Sequence, residues 1–227
     1  AGVATAVAVD PVRTQNVFAS FLSDGLYRST NAGDSWTASR SGLPATASIP
    51  AIAPSRTDRS VISIAVSAPN AQDRGISIST NSGSDWSFRG ALSTQGELRS
   101  LAVDGSALYA GATDGLYISS NSGVSWTRAS GATEGKAVRS IAIHGETPAY
   151  IFAGTSSGIY RSANSGQDWL AFPAGPFDLS VDQLHFDARN ETTLYAATIG
   201  SGLYRCNLAP VISGDDSLVF PDVPVGS

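Results

Sequence analysis

Residues 108–126 read LYAGATDGLYISSNSGVSW, and this stretch decides the fold. Leu108-Tyr109-Ala110-Gly111 and Leu116-Tyr117-Ile118 are short runs of strand-forming residues, separated and followed by Gly, Ser, Asn and Asp. Such runs, too short for helices and bounded by turn formers, pair as antiparallel strands. The ending Ser119-x-Asn121-x-Gly123-x-x-Trp126 recurs as Ser29-x-Asn31-x-Gly33-x-x-Trp36, Ser79-x-Asn81-x-Gly83-x-x-Trp86 and Ser162-x-Asn164-x-Gly166-x-x-Trp169. The tryptophans lie 50, 40 and 43 residues apart, a period suited to one four-stranded sheet per repeat.

Aligning the repeats on Gly25, Gly75, Gly115, Gly158 and Gly202 yields a common strand plan. A first strand ends in a polar residue (Val7–Asp10, Leu101–Asp104, Ile141–His144). A second carries an aliphatic or aromatic pair and then small residues (Val17–Ser20, Leu108–Gly111, Ile151–Gly154, Leu194–Ala197). A third starts at the aligned glycine, and a fourth begins at the tryptophan. Asn and Gly both tolerate the positive φ that a reversal between strands three and four needs. Glycine to tryptophan is eleven residues in all four complete repeats, so length variation falls elsewhere, and the second repeat holds extra residues around Ala68 to Arg74. No segment sustains a 3.6-residue apolar period, so helices should be nearly absent. Repeated small sheets that bury both faces against neighbours predict an all-β fold, a β-propeller of four-stranded antiparallel blades. Five repeats are recognisable, as a closed five-bladed ring or part of a larger one.

The Ser-x-Asn-x-Gly-x-x-Trp boxes and phrases such as VAVDP (7–11) and IFAGTSSGIYRSANSGQDW (151–169) resemble the BNR or Asp-box repeat over roughly residues 5 to 207. That superfamily includes sialidases, xyloglucanases, sortilin-type receptors and the photosystem II stability/assembly factor. The usual box Asp is Asn31, Asn81, Asn121 and Asn164 here, which removes the carboxylate a calcium ion would want. The fifth repeat keeps three strands and then loses the box. Residues 1–210 therefore read as the propeller and 211–227 as an extension. SLVFPDVPVGS (217–227) resembles the opening strand of a choice-of-anchor D immunoglobulin-like domain; the alternative is a strand completing the fifth blade.

Thirteen arginines and one lysine, Lys136, against nineteen acidic residues give a net charge of −5, with no basic run, which argues against nucleic acid as a partner. No apolar stretch is long enough to span a bilayer. The chain contains no methionine, consistent with a processed segment of a longer, extracytoplasmic bacterial precursor, periplasmic or secreted. A sialidase, by resemblance, would need converging arginines and a Phe/Tyr-Arg-Ile-Pro motif that this chain lacks, and Arg28, Arg161 and Arg205 occupy equivalent third-strand positions instead. Glycoside hydrolysis asks for two carboxyl groups about 5 to 10 Å apart. The four glutamates, Glu97, Glu134, Glu146 and Glu191, fall between strands and suggest no such pair. His144 takes a strand-end slot and His185 a small-residue slot of the innermost strand, where its ring either fills a packing gap, the favoured reading, or lines the channel; neither has ligand spacing for a metal. Cys206 reads as a small buried residue. Asn190-Glu191-Thr192 fits a glycosylation sequon.

The expectation is a non-catalytic scaffold without cofactor or metal, mediating protein–protein interaction as an accessory or assembly subunit of a larger extracytoplasmic or membrane-associated complex. A glycan-binding module or a fragment of a xyloglucanase- or sialidase-like glycoside hydrolase is the alternative. The contact surface is expected on the connections from the fourth strand of one blade to the first of the next, 41–48, 90–97, 131–136 and 172–177. Loops varied in sequence on a rigid scaffold are where specificity resides.

Overall fold

The computed structural model describes residues 2–45, 47–94, 96–147, 149–172 and 179–208. Expectations for the 211–227 extension and for most of the 172–177 connection fall outside the described residues.

Among the described residues, nineteen strands form five antiparallel sheets in which chain neighbours pair, and each sheet is one blade. The first holds β1 (Ala4–Val9), β2 (Val17–Phe21), β3 (Gly25–Ser29) and β4 (Thr37–Ala38). The second holds β5 (Ser48–Pro54), β6 (Ile62–Ser67), β7 (Gly75–Ser79) and β8 (Ser87–Ala91). The third comprises β9 (Leu98–Asp104), β10 (Ala107–Ala112), β11 (Gly115–Ser119) and β12 (Thr127–Arg128). The fourth comprises β13 (Val138–Ile143), β14 (Ile151–Thr155), β15 (Gly158–Ser162) and β16 (Leu170–Ala171). The fifth has three strands among the described residues, β17 (Val181–Asp187), β18 (Asn190–Thr198) and β19 (Gly202–Asn207). Described helix is confined to two three-residue 3₁₀ turns, Ala71–Asp73 and Gly131–Thr133.

Third strands start on the aligned glycine in every blade. The tryptophans, by contrast, do not open the fourth strands; pairing starts one residue later and lasts two residues in three blades. At Trp36, Trp126 and Trp169 the indole N–H turns back to the box carbonyl, as described below. The extra residues of the second repeat form the first 3₁₀ turn, closed by Arg74, whose Nε donates to the Ala68 carbonyl at 2.7 Å.

The chain divides into two compact units, one of Ala1–Ala110 with Tyr117–Thr127, the other of Gly111–Leu116 with Arg128 onward. In the first unit β5 packs against β1, β2 and β9. The first two blades meet in a cluster of Phe18, Leu26, Ile49, Ile62, Ile64, Val66 and Trp86. In the second unit β17 packs on β13 and β14 around Phe152, Ile159, Phe172, Val181, Leu184 and Leu194. Both clusters arise from strand alternation, since every second residue of a β-strand faces the same neighbour. Cys206 lies in the second cluster, buried as its slot predicted. His185 is exposed rather than filling a packing gap.

Because Phe18 is fully buried between the first two blades, Phe18→Ala should lower unfolding stability by about 3–5 kcal/mol. Urea denaturation followed by tryptophan fluorescence measures it.

Candidate functional site

The sixteen box residues form four near-identical hairpins. The residue after each asparagine, not the asparagine itself, takes the left-handed conformation: Ala32, Ser82, Ser122 and Ser165 have φ of 57°, 58°, 54° and 57°. The box glycines follow at 101°, 80°, 82° and 86°. Two successive positive φ values make the primed turn whose twist suits a β-hairpin. An L-residue in that region loses about 1–2 kcal/mol, which the box hydrogen bonds offset.

The serine hydroxyl is the hub. Ser29 Oγ accepts the Gly33 N–H at 2.9 Å and donates to Asn31 Oδ1 at 2.8 Å. Asn31 Oδ1 also accepts the Ser35 N–H at 2.9 Å. Ser79 with Asn81, Ser119 with Asn121 and Ser162 with Asn164 repeat these contacts. The left-handed residues donate their N–H groups to the turn joining strands one and two of their own blade, at Gln15, Ser60, Ser106 and Ala149.

The amide nitrogen gives asparagine an advantage over aspartate in two of the boxes. Each Asn Nδ2 donates to the side chain four residues on: Ser35 at 2.9 Å, Asp85 at 3.0 Å, Ser125 at 2.9 Å and Asp168 at 2.8 Å. In the second and fourth boxes an aspartate would set two carboxylates against each other.

The indoles diverge. Trp36, Trp126 and Trp169 donate to the box carbonyls of Gly33, Gly123 and Gly166 at 2.9, 3.1 and 3.0 Å. Trp86 reaches instead into the first blade, donating to Ser39 Oγ at 3.0 Å. Trp86 and Trp169 are each 4% exposed, but Trp36 is 41% exposed. A large flat ring in this slot is expected to wedge against the neighbouring sheet; Trp36 departs from that, having among the described residues no cover like that which Ser39 and Ser41 give Trp86. Arg28 ties the first blade to the second box, with Nη1 donating to the Ser82 carbonyl at 2.7 Å and Ser84 Oγ at 3.0 Å.

Other polar candidates hold turns. Asp10 accepts the Val12 and Arg13 N–H groups at 2.9 Å each. His144 is buried, and its Nδ1 accepts the Thr147 N–H at 3.0 Å. Glu191 accepts the Gly145 N–H at 2.6 Å. Among the described residues no three His, Cys, Asp or Glu side chains gather as metal ligands, and no helix is long and apolar enough to cross a membrane.

One departure from the repeat opens space. On the second strands a single slot holds Phe18, Tyr109, Phe152 and Tyr195, whereas the second blade has Ser63. Pairing confirms the equivalence where register is defined: Phe18 lies opposite Arg28, Ser63 opposite Ile78, Phe152 opposite Arg161 and Tyr195 opposite Arg205. At the first junction the Phe18 ring lies so close to the next box that a Cβ on Gly83 would meet it at 2.6 Å. At the second junction a Cβ on Gly123 would meet Leu108 and Arg89 instead, with no ring from Ser63. A cavity of about 320 Å³ lies there, inside the first unit. Its lining includes buried Ser55, Ser63, Ile78, Val103 and Leu108, with exposed Thr57, Asp58, Thr80, Arg89 and Ser106. Ser63 Oγ is buried without a hydrogen-bond partner. The Ser60 hydroxyl and backbone N–H hold the Asp58 carboxyl below the ordinary aspartate range. Sequence reading passed over Ser63 because the second repeat does not align by motif on that strand; the missing ring was its only signal.

No family model matches the chain, and no curated protein matches it. Solved structures do. The GH74 xyloglucanase of Xanthomonas campestris is 19% identical, with a TM-score of 0.71 over 92% of this chain. The fold is that of a β-propeller. This chain spans 36% of that xyloglucanase's length. A structure of YCF48 bound to D1 peptide is 12% identical at a TM-score of 0.62, covering 90% of this chain and 63% of that one. A chain of a nidogen/laminin complex is 15% identical at 0.67, covering 97% and 81%.

The box geometry predicts unequal responses to restoring aspartate. Asn81→Asp and Asn164→Asp should lower the urea midpoint at neutral pH, with the deficit narrowing as pH falls through the carboxylate range and one of the two facing groups protonates. Asn31→Asp and Asn121→Asp, facing serine hydroxyls that can donate, should leave the midpoint nearly unchanged.

Proposed function

We propose that this propeller is a non-catalytic binding scaffold that docks a protein partner, as an accessory or assembly subunit of a larger extracytoplasmic complex in a bacterium. The observation that carries the reading is where the repeat's polar groups go. The box serines and asparagines, the turn-capping Asp10 and the blade-tying Arg28 are all engaged in structural hydrogen bonds. What varies from blade to blade is the set of connections between sheets. Ala45, Ser93, Glu97 and Glu134 are exposed there, on segments that run between paired strands. Side chains on such supports bind without reordering the scaffold, which keeps the entropic cost of association low.

Two structural neighbours fit this reading: YCF48 was solved with a D1 peptide and the nidogen chain with laminin. The xyloglucanase neighbour favours the alternative, a glycan-binding module or glycosidase fragment. A periplasmic or secreted location rests on the sequence resemblance.

Lys136, the only lysine, sits in the 131–136 connection with its Nζ 5.5 Å from the centroid of the Tyr160 ring. An amine-reactive cross-linker applied to the protein in its native extract should therefore join Lys136 to one recurrent protein partner. Ala45→Arg combined with Glu134→Arg places two bulky cations on these exposed connections, and should abolish the cross-link while the fold persists. Release of reducing ends from xyloglucan or of sialic acid from a sialoside, with no cross-linked partner, would contradict docking and favour the hydrolase alternative.

A further inference from the structure

We infer that the cavity beside Ser63 binds a benzene-sized aromatic ring that carries a carboxylate, the chemistry of phenylalanine or tyrosine as a free amino acid or at a peptide's C-terminus. The inference stands apart from the docking reading, because the cavity is lined by the turns joining strands one and two and by a box residue, Ser122, rather than by the varied connections.

The ring follows from the repeat. Four blades fill this slot with a phenylalanine or tyrosine side chain, and the first shows where the ring goes, against the glycine of the next box. The second blade keeps Ile78 as one apolar wall of a space that Val103 and Leu108 of the third blade also line, and all three are under 10% exposed. It removes the ring and leaves a hydroxyl with no hydrogen-bond partner among the described residues. A buried unpartnered hydroxyl is unfavourable by about 1–3 kcal/mol, and a bound phenol or carboxyl group would relieve it. The space was not closed by collapse of the neighbours, and its volume falls at the low end of small-molecule sites, about 300–1,000 Å³.

The carboxylate follows from the rim. Arg89 is exposed on β8 and lines the cavity, and arginine–carboxylate pairs are directional and bidentate. Asp58 supplies one negative charge on the same lining. One charge of each sign matches the carboxylate and ammonium of an amino acid, and argues against a multiply charged anion such as a phosphate.

The test is titration of the intact protein with L-phenylalanine, with the peptide Gly-Gly-Phe and with phenethylamine, which lacks the carboxylate, followed by amide NMR shifts. Saturable shifts centred on Ser63, Leu108 and Arg89 are expected from phenylalanine, the peptide or both, below about 10 mM, a range reasonable for a ligand of this size. Phenethylamine should bind at least about fivefold more weakly, as should phenylalanine to Arg89→Ala, for loss of one charge-assisted contact. Ser63→Phe restores the repeat's ring; it should abolish binding and raise the melting temperature by about 2–4 °C. Binding by the peptide alone assigns the ligand to a polypeptide terminus, and binding by free phenylalanine to a small molecule. No saturable shift from either, or binding that persists in Ser63→Phe or is indifferent to Arg89→Ala, overturns the inference.

Discussion

A serine hydroxyl holding a left-handed turn is the constraint on which the rest of this structure depends. Each box places an L-residue and a glycine in succession at positive φ, and the chain would relax from that turn without help. Ser29 Oγ and its counterparts bind the glycine N–H from inside the hairpin while donating to the asparagine, so one side chain polarises and orients the other. The left-handed residue then commits its own N–H to the adjacent turn of the same blade. The hairpin is thereby fixed to its sheet at two points. Only a box held this way can present its outer carbonyls as a docking edge for Arg28 of the preceding blade.

That edge sets how neighbouring blades meet. At the first junction the box glycine leaves room for the Phe18 ring, Ser39 closes onto the Gly83 carbonyl and Trp86 closes onto Ser39. The second blade breaks the pattern twice over. Ser63 replaces a ring on its second strand, and Ser77 on β7 replaces the tyrosine found at Tyr27, Tyr117, Tyr160 and Tyr204. Both hydroxyls are buried and unpartnered. Ser100 Oγ, Thr133 Oγ1 and His144 Nε2 are also buried without a partner among the described residues, but it is the second blade that has exchanged stabilising aromatic area for open space. Such local departures from a consistent pattern are where function is expected.

The strand plan was legible because its signals are local. Aligned glycines start third strands, apolar pairs mark second strands, and the fixed eleven-residue interval defines the hairpin. The inserted 3₁₀ turn near Ala71 could be placed from length alone. Three features were not legible. The left-handed residue sits one position beyond the asparagine, since an Ala or Ser there carries no composition signal. The covering of Trp86 depends on Ser39 and Ser41 of the preceding blade, which no box records, and the exposure of Trp36 is likewise not written in its box. The cavity is an absence, visible only when register shows that Ser63 stands where other blades place a ring. The choice of asparagine over aspartate had a cause that was present in the sequence, Asp85 and Asp168 four residues on, but its meaning needed the hairpin's geometry.

Amide hydrogen exchange at the four box glycines tests the central claim most directly. If the serine hydroxyls lock the hairpins to the sheets, the N–H groups of Gly33, Gly83, Gly123 and Gly166 should exchange as slowly as those of the central strands, through concerted opening of their unit. Exchange at those four sites at the rates of an exposed loop, while β6 and β14 stay protected, would show that the boxes are passive turns and that the sheets hold together without them.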